Sequence, residues 1–125
     1  MSRILIVDDE PFILKAFSKL LSADGHEVTT ASSGEEAIAL VTTHCYDLIF
    51  LDLMMPNTDG VEVLHKIRLE LKLDIPVYLV TGAYDAYSPR LSAVREEGVS
   101  FTILPKPIKG SSLRLIARSF STECA

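Results

Sequence analysis

Four short stretches hold the side chains that could do chemistry: Asp8-Asp9, Asp52, Thr81 and Lys106. Each falls where an apolar run stops. Arg3 to Val7 precedes the acidic pair, Asp47 to Leu51 precedes Asp52, Pro76 to Val80 precedes Thr81, and Ser100 to Leu104 precedes Pro105-Lys106-Pro107. Short runs of this kind read as strands, and the one before Asp52 is apolar enough to be buried on both faces of a sheet. In an open parallel sheet, ligands sit outside the carboxyl ends of the strands, so an Asp ending a central strand is held rigidly where chemistry occurs. If the first and third strands are neighbours, Asp8, Asp9 and Asp52 share one crevice. Uncompensated, those carboxylates repel and at least one pKa rises. A hard divalent cation removes that penalty, and Mg²⁺ suits one or two carboxylates together with waters and a phosphate oxygen. Taken singly, each stretch also has a plainer reading. Asp52 could start a turn with Pro56 and Asp59-Gly60, and Asp8-Asp9-Glu10 could favour the next helix through its dipole. Thr81-Gly82 could simply end a strand, and Lys106 could be a solvated cation.

The elements that must position these residues alternate along the chain. After the first strand, Pro11 fits a first helical turn, and Ile13, Ala16, Phe17, Leu20 and Leu21 repeat on one face until Gly25. Glu27 to Ala31 reads as a second strand. Ser33 with Glu36 forms a capping box opening a helix through Ala37, Leu40 and Val41. Val61, Leu64, Ile67 and Leu71 mark a helix after the third strand. Beyond Thr81, the segment Tyr84 to Pro89 reads as a polar and aromatic connection, because Pro89 argues for a late helix start and only Leu91 to Glu97 looks helical. Leu113, Ile116, Ala117 and Phe120 mark a last helix. Five successive βα units predict an α/β fold, a doubly wound five-stranded parallel sheet with right-handed crossovers and helices on both faces.

Composition narrows the function. A chain of 125 residues is expected to form one domain, residues 1–125, with no second domain present within it; whether a longer protein continues beyond Ala125 is left open by the sequence. The net charge of −5 and the lack of a Lys/Arg cluster argue against direct nucleic-acid binding. The apolar runs are too short to cross a bilayer, and Met1-Ser2-Arg3 leads into the first strand without a signal peptide's apolar core. A cytoplasmic protein with no membrane partner is the expectation. Cys45 and Cys124 have no motif spacing and are expected as free thiols; His26, His44 and His65 show no zinc-ligand spacing.

The set Asp8-Asp9, Asp52 with Met55-Pro56 and Asp59-Gly60, Thr81, and Lys106-Pro107 resembles the receiver domain of two-component response regulators, over Arg3 to about Phe120. The resemblance implies a flavodoxin-like strand order, 2-1-3-4-5. It also implies that Asp52 accepts a phosphoryl group from a sensor histidine kinase or a histidine phosphotransfer protein. Asp8, Asp9, Asp52 and the carbonyl of Met54 would hold Mg²⁺, Thr81 would hydrogen-bond the phosphoryl group and Lys106 would pair with it. On this reading the chain is not a conventional enzyme, although it catalyses its own phosphorylation and dephosphorylation. Its surface then switches for a downstream effector that the sequence does not name. The resemblance further implies a cis peptide between Lys106 and Pro107.

Two other classes share parts of this pattern. A phosphorylation-independent interaction module of the same fold would lack one of the pocket residues, and all are present. A metal-dependent phosphatase with an aspartyl nucleophile would place a second acid beside it, where Leu53 and Met54 stand. A dinucleotide site is disfavoured, because no glycine-rich turn follows the first strand.

The chain departs from the usual receiver pattern on its output side. Ile103 stands where an aromatic residue is usual, Phe101 lies on the same strand face by two-residue alternation, and the Tyr84 to Pro89 connection is long. Activation is therefore expected to move the Thr81 loop, with the Tyr84 to Pro89 connection, rather than residue 103, carrying the signal.

Overall fold

The two faces of the sheet divide the apolar residues by simple alternation. A computed structural model describes residues 2–55, 58–82 and 84–120. Strand β1 (Arg3–Val7) lies between β2 (Glu27–Ala31) and β3 (Leu48–Asp52). Beyond β3 come β6 (Val77–Thr81) and β7 (Thr102–Pro105), all parallel, in the order β2-β1-β3-β6-β7. Counting only these five strands, this is the expected 2-1-3-4-5. Leu5, Val7, Ile49, Leu51 and Leu79 point to one side, under helices α2 (Gly34–Thr43), α3 (Gly60–His65) and α4 (Tyr84–Glu96). Ile4, Ile6, Leu48, Phe50 and Val80 point to the other, under α1 (Pro11–Ala23) and α5 (Gly110–Arg118). A strand whose two faces are both covered has no polar alternation left to show, which is why β3 is apolar up to its final Asp.

The helix boundaries follow local chemistry. Pro11 opens α1, and Gly25, at φ +87°, closes it as Gly25 N–H donates to Ser22 O at 3.0 Å. Ser33 Oγ accepts from Glu36 N–H at 3.1 Å; in return Glu36 Oε1 accepts from Ser32 N–H, at 2.7 Å, and not from Ser33 N–H.

Four features differ from the sequence reading. First, helix α4 begins at Tyr84 and contains Pro89. The proline removes one intrahelical donor, but Tyr87, Leu91 and Val94 all pack on the core at helical spacing, and that packing prevails. The segment from Tyr84 to Pro89 is therefore helical and not the irregular connection that was expected. Second, α3 runs into a π-helical turn, Lys66–Glu70, where Leu71 N–H donates to Lys66 O at 2.9 Å. Arg68 spans this turn, donating to Leu73 O at 2.7 Å and to Ser100 O at 3.1 Å. Third, the turn after Asp52 contains a short antiparallel ribbon, β4 (Met54–Met55) with β5 (Thr58–Asp59). Fourth, Cys45 is disulfide-bonded, not a free thiol; tertiary proximity decides such a bond, and sequence spacing does not carry it. Pro56, expected in the turn, and Cys124, expected as a thiol, lie outside the described residues.

Gly60 is where the fold touches the chemistry most tightly. A Cβ there would lie 2.7 Å from Leu53 Cα and 2.8 Å from the Asp52 carbonyl oxygen, both backbone atoms at the end of β3. Gly60→Ala is expected to lower stability by about 1–3 kcal/mol, the usual range for overpacking. Urea unfolding of the two proteins checks this, and coincident midpoints would show that the backbone yields freely.

Candidate functional site

The register of the parallel strands brings their ends to one level. Val7 pairs with Leu51, Asp52 with Val80, and Thr81 with Pro105, so the residues that follow emerge along one edge. There one carboxylate oxygen from each of Asp8, Asp9 and Asp52 lies within 4.8 Å of the other two. Asp8 and Asp52 are buried, whereas Asp9 is half-buried. Lys106 reaches in from the β7 end, its Nζ 3.4 Å from Asp52 Oδ2 and 4.0 Å from Asp8 Oδ2. Its backbone N–H donates to Thr81 O at 2.9 Å, and the Lys106-Pro107 peptide is cis, as expected. Thr81 is buried at the end of β6.

Backbone donors hold the two buried carboxylates. Glu10 N–H donates to Asp8 Oδ1 at 2.9 Å, and Met54 N–H donates to Asp52 Oδ1 at 3.2 Å. These contacts fix one oxygen of each side chain and leave the other facing the crevice and Lys106. Burial pushes the Asp8 pKa up, and the Glu10 N–H and Lys106 only partly offset it while the Asp9 and Glu10 charges add to the rise. Burial also pushes Asp52 up, opposed by the Met54 N–H, reinforced by the Asp8 charge and opposed again by Lys106. One lysine does not neutralise this cluster. A close group of hard oxygen donors with excess negative charge has the chemistry of a magnesium site, so the residues fit the ion that the sequence suggests.

The structure thus brings Asp8, Asp9, Asp52, Thr81 and Lys106 to one edge, with Met54 directly beside Asp52. It also shows what residue types could not. Gly60 N–H donates to Leu53 O at 3.3 Å. Asp59 caps α3 by accepting from Val61 N–H at 2.9 Å and pairs with Arg90 of α4. Asp59-Gly60 was expected only as a turn pair, and nothing local signals a partner in another helix. Beside the crevice, Asp8, Ile13, Phe17, Val80, Lys106 and Ile108 are among the residues lining a cleft of about 410 Å³. On the output side, Phe101 and Ile103 share the core face, as their spacing predicts. The Phe101 ring is covered by the Arg95 guanidinium at 4.0 Å.

The response regulator receiver domain family matches residues 4–118. Among curated relatives, the probable transcriptional regulatory protein TcrX of Mycobacterium tuberculosis is 38% identical over 114 residues, which is 91% of this chain and 48% of TcrX. The alkaline phosphatase synthesis transcriptional regulatory protein PhoP of Bacillus subtilis is 43% identical over 80 residues, 64% of this chain and 33% of PhoP. The chain spans between a quarter and about half the length of such relatives. Among solved structures, the response regulator TrrA of Thermotoga maritima, in complex with Mg²⁺ and BeF, has a TM-score of 0.77 at 35% identity, covering 95% of this chain and 98% of TrrA. The chemotaxis protein CheY4 of Vibrio cholerae has a TM-score of 0.81 at 27% identity, covering 97% and 99%.

The raised pKa values fix the sign of a pH effect. A carboxyl whose folded pKa lies above its unfolded value of 3.8 binds more protons when folded, so stability falls as pH rises between the two values. With divalent cations chelated, the chain is expected to lose stability as pH climbs from about 4 through the raised folded pKa values. Asp52→Asn is expected to reduce that loss and to be more stable than the parent above this window. Urea unfolding across a pH series checks both, and an unchanged pH slope in the variant would refute the assignment of the strain to Asp52.

Proposed function

The chain belongs to the response regulator receiver domain family, and from that premise we propose that Asp52 is its phosphoryl acceptor. The observation carrying this reading is the convergence of one oxygen each from Asp8, Asp9 and Asp52 within 4.8 Å, with Lys106 Nζ 3.4 Å from Asp52 Oδ2. The donor is a phosphohistidine on a sensor histidine kinase or phosphotransfer protein. A carboxylate oxygen of Asp52 attacks the phosphorus, a P–O bond forms, the P–N bond breaks, and the departing imidazole nitrogen keeps the electron pair and takes a proton from water. Lys106 offsets negative charge on the transferring group, and the Thr81 hydroxyl donates a hydrogen bond to a phosphoryl oxygen. That last contact exists only after transfer, so it biases one conformation over another. Asp8, Asp9, Asp52 and the Met54 carbonyl would hold Mg²⁺, which when bound supplies the positive charge that lets an anionic phosphoryl group approach a carboxylate.

The switched surface acts on a downstream effector, consistent with relatives that are transcriptional regulators. Among the described residues no helix is long and apolar enough to cross a membrane. The cytoplasmic assignment rests on the family, because the Cys45 disulfide removes the thiol argument.

Incubation with acetyl phosphate and Mg²⁺ is expected to add the mass of one phosphoryl group to the parent chain and none to Asp52→Asn. Asp9→Ala is expected to weaken Mg²⁺ binding. Equal labelling of Asp52→Asn would overturn the assignment, and an unlabelled parent would favour an interaction module that works without phosphorylation.

A further inference from the structure

The loop after Asp52 and the helix after Thr81 are joined by an ion pair. Asp59 makes the join. Its Oδ1 accepts from Val61 N–H at 2.9 Å, and its Oδ2 is paired with the Arg90 guanidinium. Arg90 lies on α4, the helix that begins three residues after Thr81. Asp59 is also the ribbon partner of Met54, whose N–H rests on Asp52 Oδ1 at 3.2 Å. An unbroken series of contacts therefore runs from α4 through Arg90, Asp59 and Met54 to the carboxylate of Asp52.

We propose that Arg90 is a positioning residue for the acceptor site. Through Asp59 it sets the ribbon that places the Met54 backbone against Asp52, and it ties this ribbon to the helix leading away from Thr81. The inference rests on the reading of Asp52 as acceptor. Stability is not the pair's main contribution, since the Arg90 and Asp59 side chains are 46% and 29% exposed and exposed pairs contribute little. Geometry is the contribution. One oxygen of Asp59 is already committed to the α3 cap, so the cation on the other oxygen fixes the plane of the carboxylate and with it the end of β5. Lys66, Glu35 and Glu62 line the same groove as Asp59. Among the described residues, Arg90 is the cation paired with Asp59.

The test compares the parent chain with Arg90→Ala, Arg90→Lys, Asp59→Asn, the Arg90→Ala/Asp59→Asn double variant, and Lys66→Ala as a charge control from the same groove. Asn retains the capping oxygen and loses the charge. Two readouts need no phosphorylation: amide exchange of Met54 and Gly60 in metal-free protein, and affinity for Mg²⁺ alone by calorimetry. A third is the kcat/KM for labelling by acetyl phosphate.

Arg90→Ala is expected to speed Met54 exchange, and to weaken Mg²⁺ binding and lower labelling kcat/KM by about threefold, the scale of one exposed ion pair. Arg90→Lys should restore most of the loss. Asp59→Asn should match Arg90→Ala, the double variant should be no worse than either, and Lys66→Ala should behave as parent. Parent-like Mg²⁺ affinity and Met54 exchange in Arg90→Ala would overturn the proposal, as would losses from Arg90 and Asp59 that simply add. If the parent itself is not labelled at Asp52, the acceptor reading fails, while exchange and Mg²⁺ affinity still decide the role of Arg90.

Discussion

Everything at the C-terminal edge of this sheet answers to one electrostatic constraint: buried carboxylates are held together against their mutual repulsion. Asp8 and Asp52 lie almost out of water, Asp9 stands beside them, and Lys106 is too little charge to balance the group. Such an arrangement raises the energy of the folded state, so the scaffold must be stiff enough to keep it. Parallel strands covered on both faces provide that stiffness. The donors that hold the carboxylates are backbone N–H groups of Glu10 and Met54, which cannot rotate away as side chains can. The close approach of Gly60 to Leu53 and Asp52 belongs to the same design, since it packs the start of α3 directly on the end of β3.

The crevice was legible in the sequence because its residues sit next to the strands that place them. An apolar run that stops at an Asp reports both the strand and where the Asp emerges, and the endings at Asp8-Asp9, Asp52, Thr81 and Lys106 predicted one edge. The short-range caps were legible for the same reason, as Ser33 with Glu36 and the Pro11 and Gly25 boundaries show. What failed was set by tertiary contact. Pro89 argued locally against a helix, and the packing of Tyr87, Leu91 and Val94 overrode it. The π turn at Lys66–Glu70 leaves no mark in a pattern of Val61, Leu64 and Ile67, which stay buried either way. Asp59 with Arg90, and Arg68 with Ser100, are partners about thirty residues apart, and neither residue type names its mate.

Strand order occupies a middle position. Alternating βα units are compatible with several parallel sheets, and the resemblance to receivers supplied the choice that the observed pairing bears out. Phe101 and Ile103 illustrate the opposite case. Their shared face follows from alternation alone, yet the guanidinium of Arg95 across the Phe101 ring had no signal in the sequence.

The division of the core by the sheet has an evolutionary consequence. Residues under α1 and α5 form one cluster and those under α2, α3 and α4 another, with the strands as a wall between them. Substitutions that share no contacts tend to act independently. A lineage can therefore remodel the surface on one side of the wall while the other drifts under separate selection. The shared edge, where the carboxylates stand, is the part that both histories must leave alone.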